Sequence, residues 1–209
     1  MPETAPETGA AQKAAAVVLA AGASRRLGRP KQLVQVEGES LLRRTARLAL
    51  EAGCALVIVV LGFEAERLRA ELAGLPVEVT INANWSSGMG SSLACGVAAA
   101  RRMRPEMDAL LLLVCDQARL TADHLRRLLA RHASGSVAVT ASGYAGRFGV
   151  PAVFAPGLIP ELERIEGDHG ARKLILRSNP RIVDWPDGAD DVDLPRDLPL
   201  RNEKRPDPS

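Results

Sequence analysis

Between Val17 and Leu33 the chain reads VVLAAGASRRLGRPKQL, a short apolar run that breaks at Gly22 and then delivers Arg25, Arg26 and Lys31 into one loop. A glycine at the break lets the backbone turn sharply and brings N–H groups close to an anion. Cations clustered beside it make phosphate the natural ligand. The two commonest phosphate loops do not fit. A Walker A loop needs GxxxxGK[ST], whereas five residues separate Gly22 from Gly28 and no Gly-Lys follows. The dinucleotide fingerprint GxGxxG is absent too, since GMGSSL at 88–93 has only its first two glycines. The candidate aspartates stand far from this loop in sequence. Asp116 closes the apolar run ALLLLVC, Asp168 sits in GDHGAR, and Asp191 and Asp193 lie in the acidic stretch DGADDVDLPRD.

Strands and helices in alternation must bring these residues together. The apolar runs at 55–61 and 109–115 are continuous rather than alternating, as in parallel strands covered on both faces, and 16–20 reads as a shorter one. Further strands are predicted at 77–81, 137–141, 150–154 and 181–184, with SGYAGRFG as a loop between the second and third of these. Helical spacing covers 40–52, with Ser40 as N-cap and Gly53 just past the end. It also covers 64–73, 91–102, 158–165, 171–177 and a helix capped by Thr121 that runs to His132. This order predicts an α/β fold, a doubly wound and mainly parallel sheet with right-handed crossovers. Ligands of such sheets bind beyond the carboxyl ends of the strands. The loop after Ala20 and Asp116 both fall at that edge. The expected organisation is a disordered leader at 1–13, one domain at 14–199 and a flexible tail at 200–209.

Composition bounds the function. The 209 residues suffice for one well-cored domain, and 46% apolar with 25% charged residues is ordinary for a soluble globular protein. A net charge of +2 is too mild to argue for nucleic acid or a membrane surface, and 3% aromatics are too few for base-stacking platforms. No apolar run approaches the ~18 residues of a membrane span. The start, MPETAPETGAAQK, lacks the basic region and apolar stretch of a secretory signal. Cys54, Cys95 and Cys115 form no CxxC pair, which points to reduced, buried thiols in a cytoplasmic protein. The three histidines give no HExxH, so a zinc site is not expected.

The loop can be written LAAGxSxRxGxxK, standing as Leu19, Ala20, Ala21, Gly22, Ser24, Arg26, Gly28 and Lys31. It resembles the signature loop of nucleotidyltransferases that use an NTP and release pyrophosphate; an ordinary glycine turn with a solvated basic loop is the competing reading. NANWSSGMGSSLACGV, LLLLVCDQ, GDHGARKLI and DDVDLPRDL are similar to further segments of that superfamily. Together they resemble the molybdenum cofactor cytidylyltransferases, the MocA-like branch of the MobA-like NTP transferases, over roughly residues 14 to 198. Ala118 stands where that family usually has proline, and Leu194 where it usually has threonine. The resemblance implies a Rossmann-like sheet of the nucleotide-diphospho-sugar transferase type. It also implies transfer of CMP from CTP to the terminal phosphate of a molybdopterin-type cofactor, with Mg²⁺, for supply to a client molybdenum hydroxylase or dehydrogenase.

The same resemblance distributes the roles. Lys31 binds the α-phosphate, Arg26 holds the triphosphate tail, and Asp116 and Asp193 hold Mg²⁺, with Asp191 the competing second ligand. Leu19, Ala20 and Ala21 line the base pocket, and LAAG rather than LAGG goes with CTP rather than GTP. Gly22 and Ala23 give backbone donors to phosphate. Ser24, Asn82 and Gly88 belong to the nucleotide site. Ser91 and Ser92 either bond the base or ribose or cap a helix. Arg147, Asp168, His169 and Arg172 face a phosphorylated pterin, although Asp168 equally suits a loop brace and His169 a solvent-facing position. The alternatives are a guanylyltransferase, a cytidylyltransferase acting on another phosphorylated acceptor, and a non-catalytic module that escorts a cofactor.

Overall fold

The computed structural model describes residues 13–168 and 170–189. In chain order its strands are β1 (Ala14–Leu19), β2 (Gln35–Val36), β3 (Glu39–Ser40), β4 (Leu56–Leu61), β5 (Glu78–Ile81), β6 (Ala109–Val114), β7 (Val139–Tyr144), β8 (Arg147–Phe154) and β9 (Arg181–Asp184). The helices are α1 (Leu41–Glu51), α2 (Ala65–Glu71), α3 (Met89–Met103), α4 (Ala122–Ala133), α5 (Ile159–Leu162) and α6 (Arg172–Arg177). Ser40 caps α1 by accepting the Arg43 N–H at 3.3 Å, and Thr121 caps α4 by accepting the His124 N–H at 3.2 Å. No helix among the described residues is long and apolar enough to cross a membrane.

β1, β4 and β6 are apolar throughout because helices cover both faces of the sheet. Side chains alternate along each strand, and this sorts them into two cores. Ala16, Val18, Val59, Leu61, Leu111 and Leu113 meet α1, α2 and α4 through Leu42, Leu68 and Leu125. Val17, Ile58, Val60, Leu110 and Leu112 meet Leu93 and Val97 of α3, Leu162 of α5 and Leu174 of α6. The close approach of α3 depends on Gly96, where a Cβ would lie 2.6 Å from both Val17 Cγ1 and Val60 Cγ2.

The sheet order is β5-β4-β1-β6-β8-β7-β9. Four of the six neighbouring pairs are parallel, and β8 runs antiparallel to both β6 and β7. From β1 the chain winds outward through β4 and β5, then returns to set β6 on the other side of β1. The winding reverses between β1 and β6, which opens a crevice beyond their carboxyl ends. Leu19 lies opposite Val114 in the register, so the signature loop and Asp116 leave the sheet side by side.

The stretch SGYAGRFG differs from the expectation. It is mostly strand, because β7 runs on to Tyr144 and β8 begins at Arg147. Only Ala145 and Gly146 turn, both with positive φ (47° and 70°), as a tight hairpin requires. The other two glycines make room rather than turns. A Cβ on Gly143 would lie 2.5 Å from Ile182 Cγ2, and one on Gly149 would lie 2.9 Å from the Tyr144 hydroxyl. Smaller shifts occur elsewhere, as α3 starts at Met89 rather than Ser91 and α5 keeps only Ile159–Leu162 of the predicted 158–165.

Candidate active site

The loop after β1 is held by its carbonyls. Gln32 is 1% exposed, and its Nε2 donates to the Ala20 carbonyl at 2.8 Å and the Gly22 carbonyl at 2.7 Å. The Ala21 carbonyl accepts the Phe63 N–H at 3.0 Å. Ser24 takes a left-handed backbone (φ 51°), and its hydroxyl donates to Gln32 Oε1 at 3.3 Å and accepts the Lys31 N–H at 3.0 Å. Lys31 and Gln32 lie in a 3-10 turn at Lys31–Leu33, which folds this part of the loop back beneath Gly22.

Lys31 reaches across the switch point. Its Nζ lies 2.5 Å from Asp116 Oδ2, although the two residues are 85 positions apart. The other carboxylate oxygen, Oδ1, is buried with no hydrogen-bond partner. A charged oxygen left in that state is costly unless something binds it. Asp116 is secured from behind by the buried Gln117, whose Nε2 donates to the Val150 carbonyl at 3.1 Å. Ala118, in the place of the usual proline, packs against the small apolar cluster of Leu27, Val34 and Leu41. Gln117 and this packing hold the turn without a proline ring. The neighbouring Cys115 is buried, and burial with the adjacent Asp116 charge pushes its thiol up to about 12, which favours the neutral thiol at pH 7.

The far wall comes from the start of α3. Gly88 (φ 115°) and Gly90 interlock with the chain at 166–168. A Cβ on Gly88 would lie 2.6 Å from Asp168 Oδ1, and one on Gly90 would lie 2.6 Å from the Glu166 carbonyl carbon. The Gly90 N–H donates to the Gly167 carbonyl at 2.7 Å. Thus the helix start and the loop meet because Gly88 and Gly90 present no side chain to 166–168. Asn82 is a brace. Its Nδ2 donates to Ser91 Oγ at 2.8 Å and Ser92 Oγ at 3.0 Å, and its Oδ1 accepts the Asn84 N–H at 2.9 Å.

These parts enclose a cavity of about 360 Å³. Leu19, Ala20, Ala21, Gly22 and Ala23 line one side of it, Lys31 and Asp116 its base, and Trp85, Gly88, Met89, Ser92 and Asp168 the other side. A second cavity of about 210 Å³ adjoins it and shares Leu19, Met89 and Val114. Its own walls are Tyr144, Phe148 and Val150 on the β7–β8 hairpin and Ala171, Arg172 and Ile175 at α6, with Arg147 beside them.

A family model described as the MobA-like NTP transferase domain matches residues 16–182. The chain belongs to that family. As an enzyme it is a nucleotidyltransferase of the MobA-like type. It is 38% identical over 182 residues to the nicotine blue oxidoreductase of Paenarthrobacter nicotinovorans, covering 84% of this chain and 87% of that one. It is 32% identical over 160 residues to a probable molybdenum cofactor guanylyltransferase of Synechococcus elongatus, covering 72% and 78%. Among solved structures, Rv0371c of Mycobacterium tuberculosis superposes with a TM-score of 0.76 at 31% identity over 90% of this chain and 96% of that one. A manganese complex of Rv0371c matches with a TM-score of 0.70 at 28% identity, over 83% and 89%.

Within this MobA-like chain, most residues singled out from the sequence converge on the two cavities. Leu19, Ala20, Ala21, Gly22, Ala23, Lys31, Gly88, Ser92, Asp116 and Asp168 line the larger, and Arg147 and Arg172 the smaller. Ser24, Asn82 and Ser91 stand behind the wall, where they fix loops. Ser91 Oγ lies 2.9 Å from the Gly88 carbonyl and 3.0 Å from that of Asn84, in donating geometry to both. Arg25 lines the cavity, while Arg26 is exposed beside it. His169, Asp191, Asp193 and Leu194 lie outside the described residues, as do 1–12 and the tail. Gln32 and Gln117 were not singled out, although both hold the site together. The only sequence signal for either is adjacency, since each directly follows a charged residue of the site.

Proposed function

We propose that this chain is an Mg²⁺-dependent cytidylyltransferase that moves CMP from CTP to the terminal phosphate of a molybdopterin-type cofactor. The observation that carries the reading is the Lys31–Asp116 pair at the switch point, with Asp116 Oδ1 buried and unpartnered, between an anion loop and an arginine-bearing cavity. An ionised oxygen of that kind fits a hard divalent cation, and a manganese complex of the Rv0371c relative agrees with this. Asp116 would hold the ion together with Asp193. When bound, Mg²⁺ neutralises charge on the reacting phosphates.

In the reaction, a terminal phosphate oxygen of the acceptor attacks the α-phosphorus of CTP. The bond from that phosphorus to the bridging oxygen breaks, and pyrophosphate leaves with the electron pair. The attacking phosphate is already ionised at neutral pH, so no general base is needed. Lys31 turns from Asp116 towards the α-phosphate and stabilises the charge that develops there. Arg26, with Arg25 on the cavity wall, holds the triphosphate tail. Leu19, Ala20 and Ala21 form an apolar floor for the base. Arg147 and Arg172 hold the anionic acceptor against the apolar hairpin, and the shared wall at Leu19, Met89 and Val114 is where the two substrates meet. The name of the Synechococcus elongatus relative supports a molybdenum cofactor acceptor. The remaining proposals are a single domain over 14–199, a cytoplasmic location and a client molybdoenzyme.

The test is pyrophosphate release with Mg²⁺ and the molybdopterin form of the cofactor, comparing CTP, GTP, ATP and UTP. Release with CTP supports the reading, and release with GTP alone makes the chain a guanylyltransferase. The relative named nicotine blue oxidoreductase favours a second reading, reduction of a nicotine blue-like dye. Dye bleaching with a nicotinamide donor, without pyrophosphate release from any nucleotide, would replace the first reading with the second.

A further inference from the structure

The carbonyls of Ala20, Ala21 and Gly22 are all tied into the protein, two of them by one side chain, Gln32. In a trans peptide the C=O of one residue and the N–H of the next point in opposite directions. Tying the Ala21 and Gly22 carbonyls therefore turns the N–H groups of Gly22 and Ala23 away from those anchors. No backbone carbonyl among the described residues accepts either N–H. Both residues line the cavity, beside Arg25 and Lys31. Successive free N–H groups in such a turn make a concave anion site. A carbonyl swung into the same place would repel phosphate.

We infer that Gln32 is a positioning residue that sets the polarity of this loop: by holding the Ala20 and Gly22 carbonyls inward it turns the Ala21 and Ala23 amides outward, and together with the Phe63 N–H, which holds the Ala21 carbonyl and so the Gly22 amide, it builds the pyrophosphate subsite. Its Oε1 extends the same control, because Ser24 Oγ bonds it and also accepts the N–H of Lys31. One side chain thus fixes the Ala23 amide donor and the backbone from which the catalytic lysine extends, while Phe63 fixes the Gly22 amide. Gln32 need not touch the reacting phosphorus to do this. The inference rests on the nucleotidyl transfer proposed above, but only on its anionic donor and not on the identity of base or acceptor.

The test uses the full chain in magnesium buffer, with inorganic pyrophosphate and CMP as separate probes, followed by calorimetry and by amide NMR of Gly22 and Ala23. In the wild type, pyrophosphate shifts both amides. Gln32→Leu removes the donors and is expected to weaken pyrophosphate binding about tenfold, the scale of a lost hydrogen bond to a charged group. CMP binding should change less than twofold. Because burying two unpaired carbonyls can also unfold the loop, Ser24→Ala provides the milder variant. It leaves Gln32 on both carbonyls, so the Gly22 and Ala23 shifts should persist while turnover falls through Lys31. Equal losses for pyrophosphate and CMP in Gln32→Leu, or an undiminished Ala23 amide shift, would overturn the inference and leave the transferase reading intact. A wild type that binds neither CTP nor pyrophosphate would remove both.

Discussion

The two cavities share a wall and differ in almost everything else. The larger is made of main chain and of charge. Its loop carbonyls are tied by Gln32 and Phe63, its lysine is paired to its aspartate, and Gly88 and Gly90 are packed against the chain at 165–168. The smaller lies against an antiparallel hairpin, where Tyr144, Phe148 and Val150 stand beside charge supplied by Arg147 and Arg172. A reaction that must stabilise developing charge needs groups fixed before the substrate arrives. A site that selects an acceptor needs shape and one or two charges. On the proposed reading, chemistry would be concentrated on the parallel half of the sheet and choice of acceptor on the antiparallel half, with Leu19, Met89 and Val114, which line both cavities, as the border.

Variants on either side should separate these roles. The largest effect is expected from Asp116→Ala, which should lower metal-dependent turnover about a thousandfold or more. The fold should be kept, as read by circular dichroism, and near-wild-type turnover would remove Asp116 from the metal site. Lys31→Met should lower kcat about a hundredfold, since a contact that strengthens in the transition state is worth ~3 kcal/mol. The same variant should bind Mn²⁺ more tightly in the absence of nucleotide, because the lysine no longer occupies Asp116 Oδ2. Electron paramagnetic resonance of free Mn²⁺ would read this, and weaker binding would mean that the pair supports the metal rather than competing with it. Arg147→Ala and Arg172→Ala should each raise the acceptor KM about tenfold with CTP affinity unchanged. If CTP affinity fell instead, the border between the cavities would be misplaced. Ala21→Gly should change the CTP-to-GTP preference by less than about tenfold, since one methyl at a pocket wall discriminates weakly.

At neutral pH His124 is expected to have no effect on turnover. His124 is buried behind the hairpin, stacked 4.8 Å from Trp185, and its Nε2–H donates to Ser142 Oγ at 2.7 Å. Ser142 in turn donates to the Pro151 carbonyl of β8 at 2.7 Å. Burial, helped by Arg127, pushes His124 down from 6.5 to about 4. The unfolded chain therefore binds the extra proton first, and stability that is complete above pH 6.5 is lost as the pH falls towards 4. Hydrogen exchange across that window should show β7 and β8 losing protection before β1 and β6. His124→Gln should flatten the response, and simultaneous loss in both halves would mean that the hairpin is not an independent unit.

The parallel half was also the more legible. Continuous apolar runs gave β4 and β6 because strands covered on both faces need no alternation, and Ser40 and Thr121 marked helix starts by supplying the oxygen that a first turn lacks. Asp116 was readable because a charge at the end of such a run has only the sheet edge to occupy. The hairpin was less legible because Gly143 and Gly149 look like turn residues, whereas they serve as clearance for Ile182 and Tyr144. Gln32 was missed for a different reason. A glutamine in a basic loop looks solvated, and its burial arises only when the 3-10 turn folds back under Gly22. Asn82 belonged to the right region, but side-chain type alone does not distinguish a brace from a ligand.

The most direct measurement is the fate of the α-phosphorus. With CTP labelled at that atom, Mg²⁺ and the molybdopterin form of the cofactor, the label should pass to the pterin with one pyrophosphate released per transfer. Label that stays in CTP, or that appears only as free CMP, would contradict the account.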